Sequence, residues 1–347
     1  MSPTRAVLCG YYGMGNAGDE ALLMSLLQML PDSVEPIVLS GNPQATKKSY
    51  GVYSCPRKST FRVLKVLQES DIFIWGGGSL MQDATSIASP IYYAGLMALA
   101  QQRGLKTIAW AQGIGPLNKS WTRWLTQQVL FGCNAVSVRD GASAKLLADW
   151  QIETILAPDP VWALASETPP ILPETDKPIV AVVLRSHPLL TSQRLQTLTQ
   201  ALIDFQAQSN SFILLIPFQP QQDLAIAKQI SAKLELDQTI VTINNPKQLK
   251  GLFEQVKMTI GMRLHSLIMA AASGSNCFAL SYDPKVSRLM SEIEISGYEL
   301  DALPKDSQVI TSAWLASLGH PGIEKAKLDS LVDRALMHQQ LLQEVIN

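Results

Sequence analysis

An arginine and a histidine stand two residues apart in the segment Gly261-Met-Arg-Leu-His265. In an extended or turning segment, side chains at this spacing can face one ligand. An arginine holds an anion without changing its protonation state, whereas a histidine can donate a proton near neutral pH. A purely structural histidine at a helix start is the alternative. The pairing of Arg263 with His265 indicates an anion site that also has a proton donor.

Two further cations follow apolar runs that predict strands. Arg139 lies in the segment Ser137-Val-Arg-Asp140, and Lys285 ends the segment Ser281-Tyr-Asp-Pro-Lys285. A guanidinium at a strand end can form a fork of hydrogen bonds to a carboxylate or phosphate. The alternatives are a surface pair or helix cap for Arg139 with Asp140, and ordinary solvation for Lys285. These cations are candidates for the same anion site.

Three glycine-rich turns also follow predicted strands: Gly10–Glu20, Trp75–Ser79 and Gln112–Pro116. Glycines let a ligand approach the backbone amides, and the N-terminus of a following helix offers N–H groups to an anion. The spacing matches neither the dinucleotide fingerprint nor a Walker loop. A tight turn with Asp19 as helix N-cap, or close helix–sheet packing for the triple glycine, would explain the turns without a ligand. The candidate ligand contacts are Gly15, Asn16, Gly18, Asp19, Gly77, Gly78, Gln112 and Gly113.

Short apolar runs alternate with helical patterns along the whole chain. One series extends from Ala6–Cys9 to Ala135–Val138, and a second extends from Ile179–Leu184 to Cys277–Leu280. Continuous apolar strands between helices predict parallel sheets covered on both faces. The proline-rich and acidic stretch Ala165–Lys177 predicts a linker. We therefore predict two doubly wound, Rossmann-like α/β domains facing a cleft, at residues 1–168 and 178–347, with the terminal helix packing back on the first domain.

Composition narrows the class of protein. The 347 residues carry 28 basic and 29 acidic side chains, a net charge of −1, so a general nucleic-acid surface is not expected. Four scattered cysteines and the lack of a secretion signal predict a cytoplasmic protein. No run reaches the roughly 18 apolar residues of a membrane span. The histidines are too dispersed for a metal motif, so we predict no metal, and we predict His320 and His338 at the surface.

Taken together, these segments resemble the polysaccharide pyruvyl transferase family, and among its branches the CsaB-type, which modifies polysaccharide linked to the cell wall. That branch is similar in fold to GT-B glycosyltransferases, in agreement with the two predicted domains. The matching stretches are Gly13-x-Gly-Asn-x-Gly-Asp-Glu20, Trp75-Gly-Gly-Gly-Ser79, Gln112-Gly-Ile-Gly-Pro116, Ser137-x-Arg-Asp140, Gly261-Met-Arg-Leu-His265 and Tyr282-x-x-Lys285.

The resemblance implies phosphoenolpyruvate as donor, a cyclic ketal on two sugar hydroxyls as product, and phosphate release without a further cofactor. It implies that His265 protonates the donor, that Arg139, Arg263 and Lys285 hold its anionic groups, and that Asp19 or Asn16 handles the acceptor. Leu264 is included as part of the matched motif. The expected acceptor is a lipid-linked saccharide made at the cytoplasmic face, which allows peripheral association with the membrane.

One segment departs from the family pattern. Pro217-Phe-Gln-Pro220, followed by Asp223, stands where many relatives carry a Pro-x-His type segment, so we assign it no chemistry. Two other functions fit parts of the sequence. They are a nucleotide-sugar glycosyltransferase of GT-B fold and a non-catalytic protein that binds a sugar or phosphate.

Overall fold

The computed structural model describes residues 3–84 and 86–346. The chain forms two compact units. Unit 1 comprises the residues up to Met14, Asp19–Leu164 and the residues from Asp329 onward; unit 2 comprises Gly15–Gly18 and Ala165–Leu328. Both units are therefore discontinuous in sequence, because four residues of the first glycine-rich turn belong with the second half of the chain.

The strands and helices alternate as expected for α/β units. The strands are β1 (Thr4–Cys9), β2 (Val34–Ser40), β3 (Tyr53–Pro56), β4 (Ile72–Trp75), β5 (Lys106–Gln112), β6 (Ala135–Val138), β7 (Ile155–Leu156), β8 (Ile179–Val183), β9 (Phe212–Leu215), β10 (Gln238–Ile240), β11 (Met258–Gly261), β12 (Asn276–Ser281) and β13 (Ser296–Glu299). The helices are α1 (Ala17–Met29), α2 (Pro43–Tyr50), α3 (Thr60–Gln68), α4 (Ala88–Gln102), α5 (Ser120–Phe131), α6 (Gly141–Asp149), α7 (Ser192–Ser209), α8 (Pro220–Ser231), α9 (Pro246–Phe253), α10 (Leu264–Ala272), α11 (Pro284–Ile293), α12 (Ser307–Gly319), α13 (Lys325–Ala335) and α14 (Met337–Ile346). Short 3₁₀ turns lie at Pro160–Ala163 and Leu300–Ala302.

Within the described residues, unit 1 holds a sheet of seven parallel strands in the order β3-β2-β1-β4-β5-β6-β7. The central strand β4 is buried along its whole length because helices cover both faces of the sheet. Helices α3, α4, α5 and α6 pack on one face. Helix α1 packs on the other face, where α14 adds Leu341 and Leu342 to the core.

In the part of the chain that the structure describes, unit 2 holds a sheet of six parallel strands in the order β10-β9-β8-β11-β12-β13. Trp314 of α12 lies in its core, with ring centroids 6.0 Å from Phe205 and 6.3 Å from Phe278 in edge-to-face geometry. Strands β9, β8, β11 and β12 are neighbours, so the turns that follow them lie side by side at one edge of the sheet.

The sequence predictions match the inner strands and miss three edge strands. The apolar runs Ile72–Trp75 and Ala135–Val138 coincide with β4 and β6. Strands β3, β7 and β13 lie at or beside sheet edges and are short or polar, because an edge strand need not be apolar on both faces. Among residues 3–84 and 86–346, no helix is both long and apolar enough to cross a bilayer.

Candidate active site

The Arg263 guanidinium lies at the carboxyl edge of the second sheet, directly after β11. Its side chain is buried, with the residue 6% exposed. Nε donates to Oδ2 of Asp223 at 2.9 Å and Nη2 donates to Oδ1 at 2.7 Å, which makes a two-point ion pair. Nη2 also donates to Oε1 of Gln219 at 3.4 Å. The ion pair fixes the plane of the guanidinium.

Asp223 is the residue that the sequence analysis passed over. It lies in the first turn of α8, is 1% exposed, and accepts a hydrogen bond from the backbone amide of Gln219 at 2.8 Å. The available signal was an acidic residue in the first turn of a helix that follows a predicted strand. Its role became visible only once β9 and β11 were known to end at the same edge.

Arg185 is a second cation that the sequence analysis did not assign. It follows β8, and its Nη1 donates to the Tyr282 hydroxyl at 2.7 Å while the guanidinium stacks on that ring at 4.9 Å. Its Nε is buried and, among the described residues, has no hydrogen-bond partner. A buried cationic donor without an acceptor is costly, so this nitrogen indicates a place for an anion.

The ring of His187 also packs against Tyr282. Its ring centroid lies 4.6 Å from that of Tyr282. Burial and the neighbouring Arg185 charge lower the pKa of His187, although Asp283 opposes them. This histidine is therefore biased toward its neutral form.

His265 occupies the first turn of α10, together with Leu264, and both are half-buried. Its imidazole stands against the backbone of Gly18, which also belongs to unit 2. A Cβ atom on Gly18 would lie 3.1 Å from Cγ of His265 and closer still to Nδ1. The ring can take this position only because residue 18 has no side chain.

The segment Gly15–Gly18 belongs to unit 2 and is connected to the rest of that unit by a backbone hydrogen bond. The amide of Ala17 donates to the carbonyl of Phe218 at 3.0 Å, and Asn16 Oδ1 accepts from the Gly18 amide at 3.2 Å. Helix α1 begins at Ala17, so the alternative with Asp19 as N-cap is wrong. Asp19 lies in the first turn, in unit 1, and Asn16 precedes the helix and receives the capping hydrogen bond.

Lys285 lies in the first turn of α11 at the end of β12. Its backbone amide donates to Oδ1 of Asp283, the N-cap of that helix, at 2.9 Å, and the residue is half-buried. Arg185, Arg263, His265 and Lys285 thus follow three adjacent strands of one sheet. The first turns of α10 and α11 add partial positive charge at this edge.

Arg139 lies in unit 1, at the carboxyl end of β6. It forms a buried ion pair with Asp159, and its Nη2 donates to Ser79 Oγ at 3.4 Å. Asp140 accepts from the Ser143 amide at 2.9 Å as the N-cap of α6, so the helix-cap alternative is confirmed for Asp140. Asp159 was not recognised in the sequence because the segment around it has no helical or strand period.

The remaining glycine-turn residues are also in unit 1, in closely packed surroundings. The Gln112 side chain is 1% exposed and its amide nitrogen donates to the carbonyls of Trp110 and Gly76 at 2.9 and 3.2 Å. A Cβ on Gly77 would lie 2.9 Å from Leu22 Cδ2 of α1. The Gly113 amide donates to the Gly78 carbonyl at 2.7 Å. A Cβ on Gly76 would likewise lie 2.9 Å from Leu26 Cδ2 of α1, so close helix–sheet contact accounts for Gly76 and Gly77, whereas Gly78 has a φ of +128°.

The prediction of His338 at the surface is wrong, because this residue is fully buried in unit 1. Its Nε2 donates to the Pro158 carbonyl at 3.0 Å, and its Nδ1 accepts from the Ser137 hydroxyl at 2.9 Å. The Ser137 oxygen accepts in turn from the Ala111 amide at 2.8 Å. Burial lowers the pKa of His338 to about 4, so the ring is neutral. His320, in contrast, is exposed as predicted.

The comparison with known families decides the membership of this chain. A family model described as polysaccharide pyruvyl transferase matches residues 16–284. The chain belongs to the polysaccharide pyruvyl transferase family. The match includes Arg185, Asp223, Arg263 and His265, so these four residues lie inside the family region of this pyruvyl transferase homologue, and Lys285 lies one residue beyond it. No curated protein matches the sequence.

Solved structures share the fold over the full length. A glycosyltransferase from Rickettsia africae has a TM-score of 0.58 and 14% identity, with 99% of this chain and 98% of that chain covered. A putative UDP-N-acetylglucosamine 2-epimerase from Listeria monocytogenes has a TM-score of 0.65 and 11% identity, with 100% and 96% covered. Anabaena HepE in complex with UDP and glucose has a TM-score of 0.56 and 12% identity, with 99% and 96% covered. These likenesses confirm the predicted GT-B-like class of two Rossmann-like α/β domains.

Proposed function

We propose that this member of the family transfers the pyruvyl group of phosphoenolpyruvate to two hydroxyls of one sugar as a cyclic ketal, with release of phosphate. The observation that supports it best is the buried, unbonded Nε of Arg185 beside Arg263 and Lys285. The donor carries a carboxylate and a phosphate, and the protein as a whole has a net charge of only −1. Such a donor needs a local concentration of cations, and the carboxyl edge of the second sheet supplies one.

The proposed chemistry begins with a proton on His265. Transfer of this proton to the methylene carbon of the donor makes a methyl group and an oxocarbenium-like centre at C2. One sugar hydroxyl adds to C2 and loses its proton. The bond between C2 and the phosphate oxygen then breaks, phosphate leaves, and the second hydroxyl closes the ketal with loss of its own proton. General-acid assistance of this kind contributes about 10²–10⁴ in rate.

The other residues have positioning and binding roles in this proposal. Arg185, Arg263 and Lys285 of unit 2 hold the carboxylate and phosphate. Arg139 of unit 1 is proposed separately as an anion-binding residue. Asp19 or Asn16 orients the acceptor hydroxyls. Tyr282 holds Arg185 through a hydrogen bond of 2.7 Å, and Asp223 holds Arg263, so both guanidinium groups are preorganised.

The acceptor in this proposal is a lipid-linked saccharide, a precursor of cell-wall or surface polysaccharide, as in the CsaB-type branch. It places the enzyme in the cytoplasm, at the inner face of the membrane. No cofactor or metal is required by the proposed steps.

The test is a phosphate-release assay with phosphoenolpyruvate and a small panel of lipid-linked or arylated disaccharides. His265→Ala should reduce turnover by about 10²–10⁴ and change donor affinity far less. His320→Ala is the matched control, because His320 is exposed. Near-normal phosphate release by His265→Ala would end the assignment of the proton donor.

A nucleotide-sugar glycosyltransferase is the second candidate, and the fold shared with UDP-bound Anabaena HepE favours it. Incubation with a panel of UDP- and GDP-sugars in place of phosphoenolpyruvate separates the two functions. Sugar transfer from a nucleotide donor, without phosphate release from phosphoenolpyruvate, would show that the protein is a glycosyltransferase and not a pyruvyl transferase. Binding of either donor without any product would indicate a non-catalytic protein.

A further inference from the structure

Four large apolar side chains of unit 1 are exposed at the start of two neighbouring helices. Ile87, which precedes α4, is 46% exposed, and Ile91 is 54% exposed; Trp121 and Trp124 of α5 are 41% and 60% exposed. We refer to these four residues as the α4–α5 surface. Single exposed apolar residues are ordinary, but two exposed tryptophans within one turn of a helix mark an interaction surface.

Helices α4 and α5 pack against each other on the same face of the first sheet. Each follows a parallel strand, β4 or β5, so both begin at the carboxyl edge of the sheet. The four exposed side chains therefore belong to the same end of the helix pair, although the chain separates Ile91 from Trp121.

Asp83 holds the two segments together. Its Oδ1 accepts from the Asn118 amide at 2.7 Å, and its Oδ2 accepts from the Lys119 amide at 2.9 Å and from the Thr122 hydroxyl at 2.6 Å. Burial raises the pKa of the Asp83 carboxyl, but these hydrogen bonds outweigh it and lower the pKa to about 2. The loop before α4 is thus fixed to the first turn of α5. The start of the helix that carries the two tryptophans is therefore held by hydrogen bonds.

Two basic side chains adjoin the exposed tryptophans. Lys119 directly precedes α5, and Arg123 lies between Trp121 and Trp124 in sequence; both are exposed. The guanidinium of Arg123 lies 5.7 Å from the ring centroid of Trp150. Exposed cations beside the tryptophans favour an anionic partner.

We propose that the α4–α5 surface docks on an anionic lipid bilayer. Tryptophan rings favour the boundary between headgroups and acyl chains, and lysine and arginine beside them are attracted to anionic headgroups. Isoleucine adds apolar area that can enter the outer part of the bilayer. This combination of aromatic, aliphatic and basic side chains fits a peripheral membrane contact. The inference depends only on the surface of unit 1 and not on the proposed reaction.

The experiment is co-sedimentation of the full chain with vesicles of phosphatidylcholine that contain phosphatidylglycerol, and with vesicles of phosphatidylcholine alone. We expect binding to the anionic vesicles, weakened in high salt because screening shortens the range of the attraction. The double variant Trp121→Ser/Trp124→Ser should bind at least about tenfold more weakly, because it loses the two exposed aromatic side chains that enter the bilayer. Phe131→Ser is the matched control, since Phe131 is 75% exposed at the opposite end of α5 and should be silent.

Equal binding by the double variant and the wild type would overturn the proposal, and so would an absence of binding to anionic vesicles. A wild-type dimer in size-exclusion chromatography that the double variant abolishes would also overturn it, because the occupant would then be a second copy. Circular dichroism of each variant excludes a folding defect. Vesicle binding is measured without phosphoenolpyruvate, so failure of the proposed reaction leaves this test unaffected.

Discussion

The guanidinium of Arg263 and the carboxylate of Asp223 meet at two points, with N···O distances of 2.9 and 2.7 Å, in the interior of unit 2. Asp223 is 1% exposed and Arg263 is 6% exposed. The position of a candidate anion-binding arginine is therefore set by a carboxylate that solvent does not reach. Removing either partner leaves an uncompensated buried charge.

Replacement of Asp223 by alanine should lower the free energy of unfolding by about 3–5 kcal/mol, the usual cost of breaking a buried ion pair. Urea denaturation at neutral pH measures this. Asp176→Ala is the control, since Asp176 is exposed. The double variant Asp223→Ala/Arg263→Met should recover part of the loss, because no charge then remains unpaired. Identical stability of the wild type and Asp223→Ala would show that the pair does not form in solution.

Gly18→Ala should lower the turnover number and have little effect on the free energy of unfolding. The added methyl group would overlap the His265 imidazole, which must rotate or shift, and a displaced proton donor loses its geometry with the donor carbon. Steady-state kinetics should show a lower kcat, by about tenfold or more, with a smaller change in KM. Gly319→Ala is the control, because a Cβ at Gly319 meets open space. A wild-type kcat in Gly18→Ala would show either that His265 takes no part in the reaction or that Gly18 does not determine its position.

Arg185→Gln should weaken the binding of phosphoenolpyruvate by about 10–100-fold, the range for loss of a charged hydrogen bond. The change keeps a polar side chain but removes the cation that stacks on Tyr282. Isothermal titration with phosphoenolpyruvate gives the Kd directly. Arg103→Gln tests for general charge effects, because Arg103 is exposed. Tyr282→Phe should have a weaker effect, since it removes the hydrogen bond but keeps the ring.

Acid should destabilise unit 1 through His338. Its pKa is about 4 in the folded protein, against an ordinary value of 6.5, so the unfolded chain takes up a proton first as the pH falls. This contribution to stability is complete above pH 6.5 and is lost between pH 6.5 and 4, which amounts to about 3 kcal/mol. Urea midpoints across this range, compared between the wild type and His338→Gln, measure it. Parallel pH profiles for the two proteins would contradict a buried neutral histidine.

Much of the fold could be predicted from the sequence because parallel strands buried on both faces leave uninterrupted apolar runs. Ile72–Trp75 is an example, since all four residues are buried and the observed strand has the same limits. The assembly of His265 and Arg263 at one strand end could also be predicted, because a ligand site in an α/β unit forms where strands end. Tyr53–Pro56 could not be predicted as a strand, because it gains its place from pairing with β2 and not from its own hydrophobicity.

The partners of the candidate site residues could not be predicted because they come from distant parts of the chain. Asp223 is 40 residues from Arg263, and Tyr282 is 97 residues from Arg185. Local patterns assign each residue to a helix or a turn, but the strand order of the second sheet decides which turns meet. His338 was misplaced for the same reason, since its partners Ser137 and Pro158 lie 201 and 180 residues away.

The discontinuity of unit 1 has a consequence for biosynthesis. Leu341 and Leu342 fill part of the core formed by α1 and the first sheet, yet the ribosome makes them only after the whole of unit 2. The N-terminal part of unit 1 therefore has an exposed apolar surface while unit 2 and the C-terminal helices are translated. Nascent chains stalled before residue 329 should bind chaperones through this surface until α14 arrives to cover it.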